Sequence, residues 1–177
     1  PDTDDEAAVQ RAVAQATEVI DAFPAWFDEA LLHGQRTKLG LRRGGVADEA
    51  ADRALVADWL ALLQRQRMDH TLAWRRLADA AGGDEAPLRQ LLADGAGAAE
   101  GGELDAWLAR WRARCTADDA ADETAGAPGP GAGDRAARMR AANPFVIPRN
   151  HRVEEALAAA QNDDDLGPFE RLLAALH

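Results

Sequence analysis

The sequence predicts an all-α fold, and three observations carry the prediction. Ala occurs 42 times and Leu 20 times, whereas Val, Ile and Thr together number fifteen and Tyr is absent. Such a chain lacks the β-branched and aromatic residues that fill a pleated surface, and its commonest residues favour helix. Apolar side chains recur at spacings of three and four, the period of a helix face. Asp, Thr and Pro stand where these stretches open and Gly where they close, as at helix ends.

The first helix opens at Thr3, where Glu6 suits a reciprocal cap three residues on. Val9, Val13, Ala16, Ile20 and Phe23 share one of its faces. Pro24 is expected to end it and to start a second helix carrying Trp26, Phe27, Leu31 and Leu32, because the first turn has no use for the N–H that proline lacks. Gly40 closes that helix in a left-handed conformation, with Leu41 folded back onto the last turn. Gly44 and Gly45 mark a turn, and Asp48 suits the cap of a helix bearing Leu55, Val56, Trp59, Leu62 and Leu63. Asp69 caps a shorter helix with Leu72, Trp74 and Leu77, which Gly82 and Gly83 stop. Pro87 opens another with Leu88, Leu91 and Leu92, and Leu104, Trp107, Leu108, Trp111 and Cys115 form the next stripe.

From Thr116 to Gly133 no large apolar side chain occurs, which predicts a flexible Ala/Asp/Gly/Pro insert. A helix with Met139 follows and breaks at Asn143-Pro144, before an extended stretch from Phe145 to Pro148. Two helices close the chain, one with Val153 and Leu157, the other with Leu166, Phe169, Leu172, Leu173 and Leu176. The expected division is a helical region over 1–115, the insert over 116–133 and the C-terminal helices over 134–177.

Charge and composition narrow the function. A length of 177 residues suits one domain or a piece of a larger one. The net charge of −11 argues against nucleic acid, whose phosphates call for a surplus of cations. No apolar run is long enough to cross a bilayer, which argues against a membrane partner. One cysteine, Cys115, cannot form an internal disulfide, and the chain reads as cytoplasmic, from a reducing compartment. Leu, Val, Ile and Phe make up under a fifth of the residues, so the core is expected to be thin. Pro1 stands where an initiator Met would, and no basic-then-apolar leader follows, which points to a segment of a longer product.

Few residues invite chemistry. His33, His70, His151 and His177 include no pair spaced to share a metal, and His151 with Glu154 lacks a matching carboxylate helix. Asp163, Asp164 and Asp165 precede a helix and read as caps and dipole partners. Cys115, beside Trp111 on an apolar stripe, reads as a buried thiol. Lys38 is the only lysine against nineteen arginines, a bias that GC-rich coding also produces. No phosphate-binding glycine loop is present, and no catalytic, cofactor-binding or metal-binding residue is assigned.

Three segments read together are more specific. They are Arg36-Thr37-Lys38-Leu39-Gly40-Leu41, Asp69-His70-Thr71-Leu72-Ala73-Trp74-Arg75-Arg76-Leu77, and Met139-Arg140-Ala141-Ala142-Asn143-Pro144-Phe145-Val146-Ile147-Pro148-Arg149-Asn150-His151. In that order they resemble the C-terminal half of the selenoprotein O family, the bacterial protein nucleotidyltransferases of YdiU type. The resemblance covers most of the chain outside Thr116–Gly133. It implies that the chain is an irregular helical array forming the C-terminal part of a protein-kinase-like (pseudokinase) fold. That fold binds ATP in a reversed orientation with Mg or Mn and transfers AMP to hydroxyl side chains of protein substrates. The family's nucleotide and metal residues lie upstream of this segment, so none carries over to it, and Cys115 does not match the family's C-terminal redox residue. The implied partners are an N-terminal kinase-like core of the same protein and the protein substrates. The tryptophans would then be buried against that core. An acidic helical interaction module without catalysis is the alternative.

The corner from Asn143 to Asn150 carries its own expectations. Two prolines four apart impose an extended crossing. Asn143 is expected to accept from nearby backbone N–H groups, Asn150 to cap the helix that follows, and Phe145 and Ile147 to share a buried face.

Overall fold

The computed structural model describes residues 3–42, 48–96, 101–124 and 132–176, and these are all-helical, with no strand among them. The helices are α1 (Thr3–Lys38), α2 (Glu49–Arg65), α3 (His70–Ala81), α4 (Ala86–Ala96), α5 (Gly102–Thr124), α6 (Ala132–Ala142), α7 (Asn150–Asp163) and α8 (Gly167–Leu176). The turn expected at Gly44-Gly45, residues 125–131 of the expected insert, and His177 lie outside the described residues.

Trp59 of α2 is fully buried and packs its ring 4.4 Å from Trp107 of α5 and 5.9 Å, edge on, from Trp74 of α3. Trp107 stacks in turn on Trp111. Two indole N–H groups tie the helices across this centre: Trp107 donates to the Leu55 carbonyl at 2.9 Å and Trp111 to the Leu39 carbonyl at 3.0 Å. Leu62, Leu63, Leu77, Leu88, Leu104 and Leu108 fill the space around them. The tryptophans expected to await a separate core therefore build one here, except Trp26. A few large aromatics supply the buried area that the scarce aliphatics cannot.

A charged layer lies beside the aromatic one. Asp52 is fully buried between two arginines, taking Arg36 Nε at 2.6 Å and Arg114 Nε at 2.8 Å. Burial opposes the charge on Arg114, but the hydrogen bond and attraction of Asp52 outweigh it and raise its pKa. Farther along, Arg135 of α6 holds Asp119 with two nitrogens, at 2.6 and 3.1 Å, and donates to the carbonyls of Gly40 and Cys115.

These pairs explain one departure from expectation. The insert was expected to begin at Thr116, yet α5 runs on to Thr124, and α6 begins at Ala132. Alanines favour helix, and Asp118 and Asp119 are held by Arg114 and Arg135. Apolar content alone carries no trace of such pairing.

Pro24 is the second departure. α1 passes through it unbroken, although an interior proline costs about 3 kcal/mol and removes the bond to the Ile20 carbonyl. Long helical flanks absorb one missing bond, and Phe23 and Phe27 stack across the site at 5.9 Å. The stop at Gly40 is as expected. It adopts φ +72°, Leu41 N–H returns to the Arg36 carbonyl at 2.9 Å, and a Cβ would stand 2.7 Å from Arg135 Cγ.

Candidate functional site: the Asn143 corner and the cleft beside α3

Asn143 follows the last residue of α6 and is fully buried. Its backbone N–H donates to the Met139 carbonyl at 2.9 Å. Its side-chain oxygen accepts from Lys38 Nζ at 3.1 Å, and its amide nitrogen donates back to the Lys38 carbonyl at 2.9 Å. The expectation that Asn143 accepts from backbone N–H groups is corrected: the acceptor bond goes to a side-chain ammonium, because Lys38 at the end of α1 reaches it first.

Two cations converge on the C-terminal carbonyls of α6. Lys38 Nζ also reaches the Ala142 carbonyl at 3.4 Å, and Arg75 Nη1 donates to the carbonyls of Arg140 and Asn143 at 2.8 and 3.1 Å. Cations belong at this negative end of a helix dipole. Lys38 lies 5.7 Å from the Trp74 ring centroid, and half-burial lowers its pKa. Lys38, Trp74 with Arg75, and Asn143 come one from each of the three segments singled out in the sequence, and the fold brings them to one point. The lone lysine, Asn143 and the three segments each stood out in the sequence, but not as one cluster. Nothing in a single sequence shows that residue 38 meets residue 143.

From this anchor the chain leaves as an extended strap, and between the strap and the N-terminal turn of α3 lies a cleft of about 770 Å³. Asp69 stands at its rim and is already engaged, its carboxylate accepting from Leu72 N–H at 2.8 Å as the expected cap. His70 Nε2 accepts from Trp74 Nε1 at 3.1 Å, which places any proton of a neutral ring on Nδ1. Arg76 lies 5.3 Å from the Phe145 ring centroid, and Arg149 lines the far wall.

The strap departs from expectation in two ways. Phe145 is 49% exposed and Ile147 58%, rather than buried, since no element of the described residues covers their face. Asn150 is not a cap. The Arg149 carbonyl already accepts from Arg152 and Val153 N–H, so α7 begins at Asn150, and Arg149 stands at the cap position without a side-chain bond. Leu72, Phe145, Val146, Ile147 and Pro148 give the cleft its apolar wall, and Arg76, Arg149, His70 and His151 line it as well.

The other residues weighed for chemistry are placed simply. His33 and His151 are exposed, and among the described residues no group of three or more His, Cys, Asp or Glu is arranged for a metal. Asp165 accepts from Gly167 N–H at 2.8 Å and Asp164 takes the left-handed end of α7, as helix-end residues do. Cys115 is buried, and burial pushes its pKa up to about 11.

The model of the family described as protein adenylyltransferase SelO matches residues 7–177. A protein nucleotidyltransferase YdiU of Cereibacter sphaeroides is 44% identical over 171 residues, covering 97% of this chain and 30% of its own length. Proteins of the same name from Agrobacterium fabrum and Chromobacterium violaceum are 40% and 42% identical, covering 95% and 98% of this chain and 30% and 32% of their own lengths. No solved structure gives a significant match. This chain thus spans about 30% of the length of the relatives it matches, and it belongs to the SelO family of protein adenylyltransferases.

Proposed function

We propose that this chain is the C-terminal helical segment of a cytoplasmic protein adenylyltransferase with a kinase-like catalytic core upstream. The observation that carries the reading is the match of nearly the whole chain to under a third of proteins named protein nucleotidyltransferase. In the proposed reaction a substrate protein's hydroxyl oxygen loses its proton to solvent and attacks the α-phosphorus of ATP, the bond to the bridging oxygen breaks and pyrophosphate leaves. Mg or Mn would neutralise phosphate charge when bound to the upstream core. This segment's part is to brace the core and shape the surface that meets the substrate protein. The Lys38–Asn143–Arg75 cluster supports that role, because it ties α1 and α3 to the end of α6.

The test is label transfer by the full-length protein with Mg or Mn. ATP labelled at the α-phosphate should mark protein hydroxyls, and ATP labelled at the γ-phosphate should not. γ-Label on protein would make it a kinase. No label, with saturable binding of a protein partner, would favour an acidic interaction module.

A further inference from the structure

α1 presents two faces. Near its C-terminal end Leu32 and Arg36 are buried on the side that meets α2 and α6. On roughly the opposite side, at about 100° per residue, Val9, Val13, Ala16, Ile20, Phe23 and Phe27 form a continuous stripe. Their spacings alternate four and three, the 3.5-residue repeat of a seam that packs along another element. Nothing in the described structure covers it: from Glu6 to Leu31 every residue but Ala22 is exposed, Ile20 to 69% and Phe23 to 60%.

The flanks of the stripe identify its occupant. Ala12, Val19 and Trp26 border one side and Gln10 and Thr17 the other, with no charge among them. Seams that choose among exchangeable partners carry charges at these flanking positions. An uncharged flank suits a permanent interface, which resembles a core cut in half. The acids Glu18, Asp21, Asp28 and Glu29 fall on the outer side. A second copy is a poor occupant, because residues 3–31 carry seven carboxylates against Arg11 alone, and two such segments repel. The relatives carry over two thirds of their length outside the matched span, ample chain to supply the cover. We infer that the Val9–Phe27 stripe is the docking face for the upstream part of the same polypeptide, so that α1 is the spine joining the two. The inference rests on the reading of this chain as a C-terminal segment.

The experiment uses the full-length protein. Ile20→Cys and Glu18→Cys are each exposed to a charged maleimide at two protein concentrations, with modification read on the peptide by mass spectrometry. Ile20→Cys should react about 100-fold more slowly than Glu18→Cys at both concentrations. Equal rates would overturn the inference, and protection lost on dilution would assign the stripe to self-association. Ala16→Cys, a small change on the same face, gives the same reading should Ile20→Cys fail to fold. Accessibility does not depend on catalysis. A wild-type protein that transfers no label yet shields Ile20→Cys would sink the proposed reaction and keep the docking face.

Discussion

The Trp59 core and the first two-thirds of α1 both carry large apolar side chains at helical spacing, and they differ in what covers them. Trp59, Trp74, Trp107 and Trp111 are almost fully buried, whereas Trp26 on α1 is 58% exposed. α8 resembles α1, with Phe169, Leu173 and Leu176 exposed and no buried residue. The contrast separates two steps of folding. Helix formation follows local propensity, but most of the stability of an amphipathic helix comes from covering its apolar face. The centre of this chain has completed both steps and its periphery only the first.

The largest effect should come from the buried charge. Asp52→Ala removes the close pairs with Arg36 and Arg114 and leaves Arg114 the longer contacts with Asp48 and Asp118 at 3.6 and 3.5 Å, and stability should fall by about 3–5 kcal/mol. On the periphery, Ile20→Ala in the 177-residue chain should change stability by less than about 0.5 kcal/mol. Urea unfolding of both variants checks the pair. Similar losses in the two would erase the distinction between centre and periphery.

Next is the corner. Asn143→Ala removes an acceptor from Lys38 Nζ and a donor from the Lys38 carbonyl, and should cost about 2–3 kcal/mol as these groups lose their partners. Thermal melts should place it well above any substitution on the exposed strap. A neutral Asn143→Ala would mean that Lys38 holds the corner through the α6 carbonyls alone.

Cys115 gives a test of burial by pH. Its pKa in the folded chain is about 11 against an ordinary 9.0, so the unfolded chain releases the proton first. The stability it contributes is therefore complete below pH 9 and is lost as pH rises towards 11, by about 2–3 kcal/mol in all. Lys38, whose pKa burial lowers, sheds its proton first in the folded chain and adds the opposite slope. Comparing wild type with Cys115→Ala across that range isolates the thiol. Parallel curves would show that solvent reaches Cys115.

The sequence made some of this legible and hid the rest for physical reasons. Stripes such as Leu55, Val56, Trp59 and Leu62 announce helices because periodicity is local, and Gly40 announces a stop because few other residues adopt its φ. Pro24 misled because a local penalty was weighed without the long helix on either side. Thr116 misled because the helix there leans on Arg135, beyond the end of α5 in the chain. At the corner, each contributing segment stood out, yet their meeting is a tertiary fact. The hydrogen bond from Asn143 to Lys38 spans 105 residues and has no local signature.

A small effect is expected where the sequence suggested one of the largest. Phe145 follows a proline in an extended stretch, two residues before Ile147, a pattern that implied a shared buried face and a loss of about 3 kcal/mol or more on truncation. The ring is half-exposed instead, and among the described residues its ring partner is the Arg76 guanidinium, 5.3 Å from the centroid. Such a contact at a partly exposed site is worth about 0.5–1 kcal/mol, so Phe145→Ala should destabilise the 177-residue chain by about 1 kcal/mol. The same substitution in the full-length protein sharpens the comparison of centre with periphery. If the strap is covered there, as the α1 stripe is inferred to be, the loss should rise towards 3 kcal/mol, the value for a buried aromatic. If it stays near 1 kcal/mol while AMP transfer to protein substrates falls, the strap is an open surface that meets the substrate rather than one sealed against the core.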